Sequence, residues 1–214
     1  PFIAVNCAAV PDTMLEAVLF GYERGAFTGA HHPNKGIFRA ADGGTLLLDE
    51  VSEMALHLQA KFLRVLQEKE VTPLGGAKPV PVDIRVIATS NRHMLDEVKV
   101  GRFREDLYYR LNVFPLATQA LAGRVGDILP ITIALLAKHC GGFAKIPSMT
   151  NAAIEKLEQH DWPGNVRELE NVVQRALVLA GDGQIETDHL MIDPHDVFTQ
   201  GEVEQKPRLQ AVGE

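Results

Sequence analysis

The sequence predicts an α/β protein: a parallel-sheet core followed by a small all-helical subdomain. Three observations carry this. Apolar runs of strand length end in polar residues: FIAVN (2–6), TLLLDE (45–50) and VIATSN (86–91). They alternate with stretches of helical periodicity, the pattern of strands joined by crossover helices. From about Asp127 onward the strand patterns stop and only helical ones follow.

Taken in order, FIAVNCAA (2–9) reads as a buried strand, and PDTMLEAVLF (11–20) as a short helix capped by Asp12 behind Pro11. GYERGAFTGAHHPNKG (21–36) is a loop with glycines at both ends and Phe27 in its middle. Glycine permits positive φ and a Phe normally goes inside, so the loop either tucks Phe27 back or offers it to a partner. GGTLLLDE (43–50) is a second strand, and ALHLQAKFLRVLQEKE (55–70) places Ala55, Leu58, Phe62, Val65 and Leu66 on one helical face. LGGAKPVPVD (74–83) reads as a hairpin or loop, DIRVIATSN (83–91) as another buried strand. HMLDEVKV and REDLYYRL are short helices, and NVFPL (112–116) returns to strand. Three helices follow: DILPITIALLAKHC, TNAAIEKLEQH and NVRELENVVQRALVLA. In the last, Val166, Leu169, Val173, Leu177 and then Leu179 or Ala180 keep helical spacing. WPG (162–164) is a stop and restart that puts Trp162 in the packing of this subdomain, and 196–214 reads as an acidic solvated linker.

With 214 residues and 46% hydrophobic content, the chain has ample material for one large domain or one and a half. A net charge of −7 makes it a poor match for nucleic acid or an anionic membrane. Cys7 and Cys140 read as buried thiols in a reducing compartment rather than a disulfide pair or zinc site. ILPITIALLA (128–137) is too short to span a bilayer. Pro1 leads straight into an apolar run, which reads as a portion of something longer.

In an open parallel sheet, ligands sit beyond the carboxyl ends of the strands. Asp49 and Glu50, Ser90 and Asn91, and Asn6 are delivered there. One carboxylate can hold Mg2+ through water while the next polarises an attacking water; a lone Asp-Glu pair can also simply begin a turn. Arg104 and Arg110 lie six residues apart, too far round a helix to share one stripe. They either pair with Glu105 and Asp106 or reach a phosphate across a subunit boundary, as planar guanidinium groups do well. Arg167 either bridges to Glu168 or Glu170, or turns back onto the same phosphates.

GAFTGA (25–30), GGTLLLDE (43–50), FREDLYYRLNVFPL (103–116) and WPGNVRELENVVQRA (162–176), in this order and spacing, resemble the AAA+ ATPase domain of bacterial sigma-54-dependent transcription activators. The similarity runs from Pro1 to about residue 193. It is greatest to the response-regulator type and, within it, to a flagellar regulator. The resemblance implies an N-terminally truncated AAA+ sheet core over 1–120, a helical lid over 121–193, and a linker over 194–214 towards a DNA-binding domain that the chain lacks.

It also implies roles. Asp49 and Glu50 match the Walker B acids, for Mg2+ and for the attacking water. Asn6 matches the asparagine that restrains that glutamate, Asn91 with Ser90 beside it matches sensor I, and Arg167 matches sensor II. Arg104 and Arg110 match arginine fingers that enter the neighbouring subunit's site. Gly25, Ala26, Phe27, Thr28, Gly29 and Ala30 match the loop that grips sigma-54, which would leave Phe27 exposed to a protein partner, and 74–83 a second loop that moves with it. The implied activity is ATP hydrolysis with Mg2+ in a hexameric or heptameric ring of a cytoplasmic bacterial activator in a two-component system.

The sequence departs from the family in three places. The phosphate-binding motif GxxxxGK followed by Ser or Thr occurs nowhere in the 214 residues, so triphosphate binding should be weak. The segment before the lid reads Ala120-Leu121-Ala122-Gly123-Arg124, and Arg39 stands where the family often has Glu. The alternative reading follows: a sigma-54-contacting module that does not turn over ATP.

Overall fold

A computed structural model describes residues 1–143, 146–181 and 183–192. They fall into two compact units, 1–116 and 117 onward, each with its own apolar core.

The first unit is built on three parallel strands in the order β1 (Phe2–Asn6), β2 (Thr45–Asp49), β5 (Arg85–Ala88). The register pairs Val5 with Leu48 and Leu48 with Ala88, so Asn6 and Asp49 lie side by side at the carboxyl end. Ile3, Val5, Leu46, Leu48, Val86 and Ala88 share one face and pack into the core. Their alternates face the other way: Phe2 is 65% exposed and Ile87 45%. The expectation of buried strands therefore holds for one face only. A parallel sheet carries apolar residues on both faces because helices usually cover both, and among the described residues of this unit the helices cover one.

α1 (Asp12–Phe20) presents Leu15, Leu19 and Phe20 to that core. Asp12 is its first residue rather than its cap; Pro11 takes the flanking place. α2 (Gly36–Ala40) adds Phe38, whose ring tilts against Phe20 at 5.1 Å and stacks on Phe62 at 5.7 Å. α3 (Leu56–Glu68) buries Leu58, Phe62 and Val65 with helical spacing while Lys61, Arg64 and Glu68 stay in water. It ends at Lys69 in the left-handed region, φ 54°, where the amide caps Val65 O. Residues 72–79 join β3 (Glu70–Val71) to β4 (Val80–Pro81), which pair antiparallel, so 74–83 holds most of a hairpin loop and its second strand. α4 (Met94–Lys99) and α5 (Glu105–Leu111) follow β5.

NVFPL does not form the expected strand. Val113, Phe114 and Leu116 are 78%, 80% and 83% exposed. A strand needs a hydrogen-bonding neighbour, and β5 has one only on its β2 side among the described residues.

The second unit is helical: α6 (Ile128–Cys140), α7 (Asn151–Gln159) and α8 (Asn165–Ala180). Pro130 is tolerated in α6 because it sits in the first turn, where amides have no helical acceptor. Thr150 caps α7 through its hydroxyl, which accepts from Ala153 N at 3.2 Å. α8 buries Leu169, Val172, Val173 and Ala176, one step round from the expected stripe; Leu179 is half exposed. Trp162 is buried, donates Nε1–H to Leu157 O at 2.8 Å and meets the His160 ring edge-on at 4.7 Å. The linker expected over 194–214 lies outside the described residues.

Candidate active site

At the carboxyl end of the sheet, β2 delivers Asp49 and then turns sharply. Glu50 adopts φ 56° and ψ 48°, the left-handed region. A non-glycine residue pays about 1–2 kcal/mol there, and such strain clusters at functional sites. The turn aims the Glu50 side chain away from its strand alternation.

Asp49 is held from both sides. Asn6 Nδ2 donates to its Oδ2 at 3.0 Å, and Thr89 Oγ1 donates to Oδ1 at 2.5 Å. Asn6 also accepts from the Ala8 and Ala9 amides, so its side chain is fixed at the start of the 3-10 turn after β1. The Asn91 amide reaches Glu50 Oε2 at 3.3 Å, and the Glu50 amide reaches Thr89 Oγ1 at 3.3 Å. Asn6, Asp49, Glu50, Thr89 and Asn91 thus form one polar cluster. Cys7 lies buried beside it; burial, then the Asp49 charge, pushes its thiol up to about 11.

Two placements differ from the sequence reading. Asn6 bonds Asp49 rather than Glu50, because parallel register puts residues 6 and 49 on the same face. Ser90 turns away from the acids: its hydroxyl bonds Ser52 Oγ at 3.0 Å and the Arg92 main chain. Thr89 faces Asp49 instead. That residue was missed, and the pairing of Leu48 with Ala88 is the signal that places 89 beside 49.

The arginines are on α5 and just before it. Arg104 forks onto Asp106, with contacts of 3.0 and 2.6 Å, and the fork holds the Asp106 carboxyl below its usual range. This is the local pairing weighed above, between side chains each about half exposed. Arg110 donates to Leu66 O at 2.8 Å. Arg167 belongs to the second unit. Of the carboxylates in the bridging alternative, Glu168 is engaged by His160 and the Gly164 amide, and Glu170 by Lys138 and His139.

The 21–36 loop leaves and returns through Tyr22, which bridges Asn34 and Leu74. The Gly25 amide bonds Ala30 O at 2.9 Å, closing the tip, and Gly25 and Gly29 both have positive φ. Phe27 packs edge-on against Tyr22 at 4.9 Å, yet remains 44% exposed; Thr28 is exposed.

The donor set suits a nucleotide-borne Mg2+, which takes one or two carboxylates and completes its shell with phosphates and waters. Among the described residues no group of three or more His, Cys, Asp or Glu could form an all-protein metal cage. Asp49 offers one hard carboxylate beside Asn6, Thr89 and Asn91. The lysine and amide cradle that grip a triphosphate are not in the sequence.

The parallel sheet with acids at its carboxyl end and the helical unit that follows it match the AAA+ fold. A family model described as the sigma-54 interaction domain matches residues 1–117, and one described as the AAA+ ATPase lid domain matches 122–207. The chain belongs to the sigma-54 interaction domain family. It is 57% identical over 197 residues to the response regulator protein FleR of Pseudomonas aeruginosa, covering 90% of this chain and 41% of FleR. It is 51% identical over 188 residues to the transcriptional regulatory protein FlbD of Caulobacter vibrioides, covering 87% and 41%. The structure of NtrX from Brucella abortus in complex with ATP matches with a TM-score of 0.79 at 32% identity, over 94% of this chain and 46% of NtrX. The chain spans less than half the length of these relatives. Among the described residues no helix is long and apolar enough to cross a membrane.

Proposed function

We propose that this chain supplies the acids, sensors, arginine fingers and partner loop of a cytoplasmic sigma-54-dependent activator, an ATP-driven ring that remodels sigma-54 RNA polymerase. The observation that carries the reading is the polar cluster at the end of β2, with Asp49 held by Asn6 and Thr89 and Glu50 held in a strained turn against Asn91. Likeness to FleR and FlbD supports a response-regulator, flagellar-type activator, with DNA contacted through a domain outside these residues.

Bound ATP with Mg2+ would supply the phosphoryl group and its energy of transfer. Asp49 would hold the metal, its oxygens pre-aligned by Asn6 and Thr89. Glu50 would take a proton from the attacking water, and Asn91 would register the state of the phosphate end. Arg104 and Arg110 would enter from the neighbouring protomer. Such arginines supplied in trans are worth about 10³–10⁵ in rate, so an isolated protomer would be nearly idle. Arg104 would first have to release Asp106. Gly25 to Ala30 would carry the motion to sigma-54, with Phe27 and Thr28 in contact.

In the full-length gene product, Thr28→Ala is expected to abolish activation of sigma-54 transcription while ATP turnover stays near that of the unaltered protein. Loss of both together removes the pure contact role. Glu50→Gln is expected to bind ATP without hydrolysing it; normal hydrolysis removes Glu50 as the base.

The alternative reading is a sigma-54-contacting module without turnover, and it parts from the motor on whether the full gene holds GxxxxGK followed by Ser or Thr. Finding that motif about fifteen to twenty residues before Pro1 in the full gene, the order of spacing for a strand, loop and helix, decides for the motor. A full gene without it decides for the module.

A further inference from the structure

Among the polar side chains buried in the first unit, two besides Ser52 take no part in the acid cluster. Gln59 on α3 is 0% exposed and Glu97 on α4 is 5% exposed. Polar groups are buried where their hydrogen bonds are made, so their partners say what they hold.

Gln59 Nε2 donates to Met54 O at 2.7 Å and to Arg102 O at 3.0 Å, and its Oε1 accepts from Arg104 N at 2.8 Å. One amide therefore grips the main chain on both sides of Phe103, whose own ring is buried. The Glu97 carboxylate receives a fork from Arg102, Nε at 2.7 Å and the terminal nitrogen at 2.9 Å, and a third bond from Arg92 at 3.3 Å. The Glu97 carbonyl accepts from the Arg102 and Phe103 amides at 2.9 and 3.1 Å. Arg92 also pairs with Glu53 at 2.7 Å.

These bonds form a line. Arg92 follows Asn91, whose amide touches Glu50, and Glu53 lies in the 3-10 turn that Glu50 begins. Arg104 stands at the other end, at the start of the seven-residue α5. A helix that short does not hold its own first turn, and among the described residues the Arg104 head bonds the exposed Asp106 alone. The main chain of residues 102–104 is fixed by Gln59 and Glu97.

We propose that Glu97 and Gln59 are positioning residues: they clamp the 102–104 backbone so that Arg104 projects towards the phosphates of a neighbouring protomer. Arg92 ties the clamp to the Asn91 end of β5. The inference rests on the reading of Arg104 as a finger acting in trans. A misplacement of about 1 Å can cost around 10²-fold in rate, so the clamp is worth its two buried polar groups.

The test is ATP hydrolysis by the full-length gene product carrying Glu97→Gln, which keeps the shape and removes the charge. Arg102→Met, at a side chain 59% exposed, carries the test should Glu97→Gln not fold. Either is expected to lower kcat about 10- to 100-fold, with KM for ATP within about twofold, because the nucleotide's own pocket is untouched. Mixed with Glu50→Gln protomers, the variant should regain activity above the sum of the two alone: the Glu50→Gln protomer lends a well-placed Arg104 to a neighbour whose acids are intact. Arg104→Ala mixed with Glu50→Gln is the control. If the control recovers and the clamp variant does not, or if the variant keeps unaltered kcat, the clamp is overturned and the finger stands. If the control fails as well, the shared site fails and the clamp falls with it.

Discussion

Cys7 and Cys140 have the same side chain and opposite surroundings. Cys7 is 2% exposed, and burial beside Asp49 pushes its thiol up to about 11. Cys140 is half-buried at the end of α6. Thiolate is the reacting form, so at pH 8 an alkylating reagent is expected to label Cys140 and leave Cys7 unlabelled until the first unit unfolds. Equal labelling, followed by mass spectrometry of the peptides, would contradict the burial. Glu97 makes a prediction of opposite sign. Hydrogen bonds from Arg102 chiefly, then from Arg92, hold its carboxyl at about 2 against the effect of burial. Its folded value lies below its ordinary 4.5, so its contribution to stability is present above about 4.5 and is lost as the pH falls towards 2. Melting temperature measured from pH 6 to 2 is expected to fall less steeply in Glu97→Gln. Parallel curves would show that Glu97 carries no such linkage. Glu97 was not singled out by pattern: a lone Glu on a short helix looks like solvated charge, and only the turn that returns Arg102 to it makes it interior.

At the scale of elements, the glycines of the 21–36 loop are of two kinds. Gly25 and Gly29, at the tip, have positive φ and open space where a Cβ would stand. Gly21 and Gly36, at the foot, are packed backbone to backbone: a Cβ on Gly36 would lie 2.3 Å from Gly21 N, and one on Gly21 2.3 Å from Asn34 O. Arg39 reinforces the foot, donating to Lys35 O at 2.6 Å and Asn34 O at 2.9 Å. The glycine pairs that the sequence sets around Phe27 and Thr28 are those of the tip; the foot is packed. Gly36→Ala is expected to cost about 2–5 kcal/mol, from overpacking added to the left-handed penalty, and Gly25→Ala about 1–2 kcal/mol, from that penalty alone. Urea unfolding separates them, and equal costs would show the foot to be loose. Elements with internal periodicity, such as α3 and α8, were legible from one stretch of chain. NVFPL was not, because a strand is decided by its neighbour and not by its own residues. The Asp49–Glu50 pair was legible as chemistry, whereas Thr89 required the register of two strands. Arg104 pairing with Asp106 was legible from adjacency alone.

The whole molecule divides its interior in two. Phe38, Phe62 and Leu48 lie in the core of 1–116, and Trp162, Leu169 and Ile128 in that of the helical unit. The pattern turns purely helical near Asp127 and the two units part at 116–117, because each core imposes its own period on the chain that lines it. The phosphate-binding motif GxxxxGK followed by Ser or Thr is not in either stretch of sequence. On the proposed reading, Asp49, Glu50 and Asn91 act at the γ end, whereas the motif that would supply most of the grip is not among the 214 residues. A ligand stabilises a protein by RT ln(1 + [L]/Kd), so if Kd is about 1 mM or weaker, 1 mM ATP with Mg2+ adds at most about 0.4 kcal/mol. At a concentration of 100 Kd the same relation gives about 2.7 kcal/mol. Thermal unfolding of these 214 residues, followed by circular dichroism with and without 1 mM ATP and Mg2+, is expected to show the smaller shift, together with negligible phosphate release. A stabilisation of about 2 kcal/mol or more would mean that Asp49, Asn6, Thr89 and Asn91 bind the nucleotide without a cradle, and that the weight placed on the absent motif is wrong.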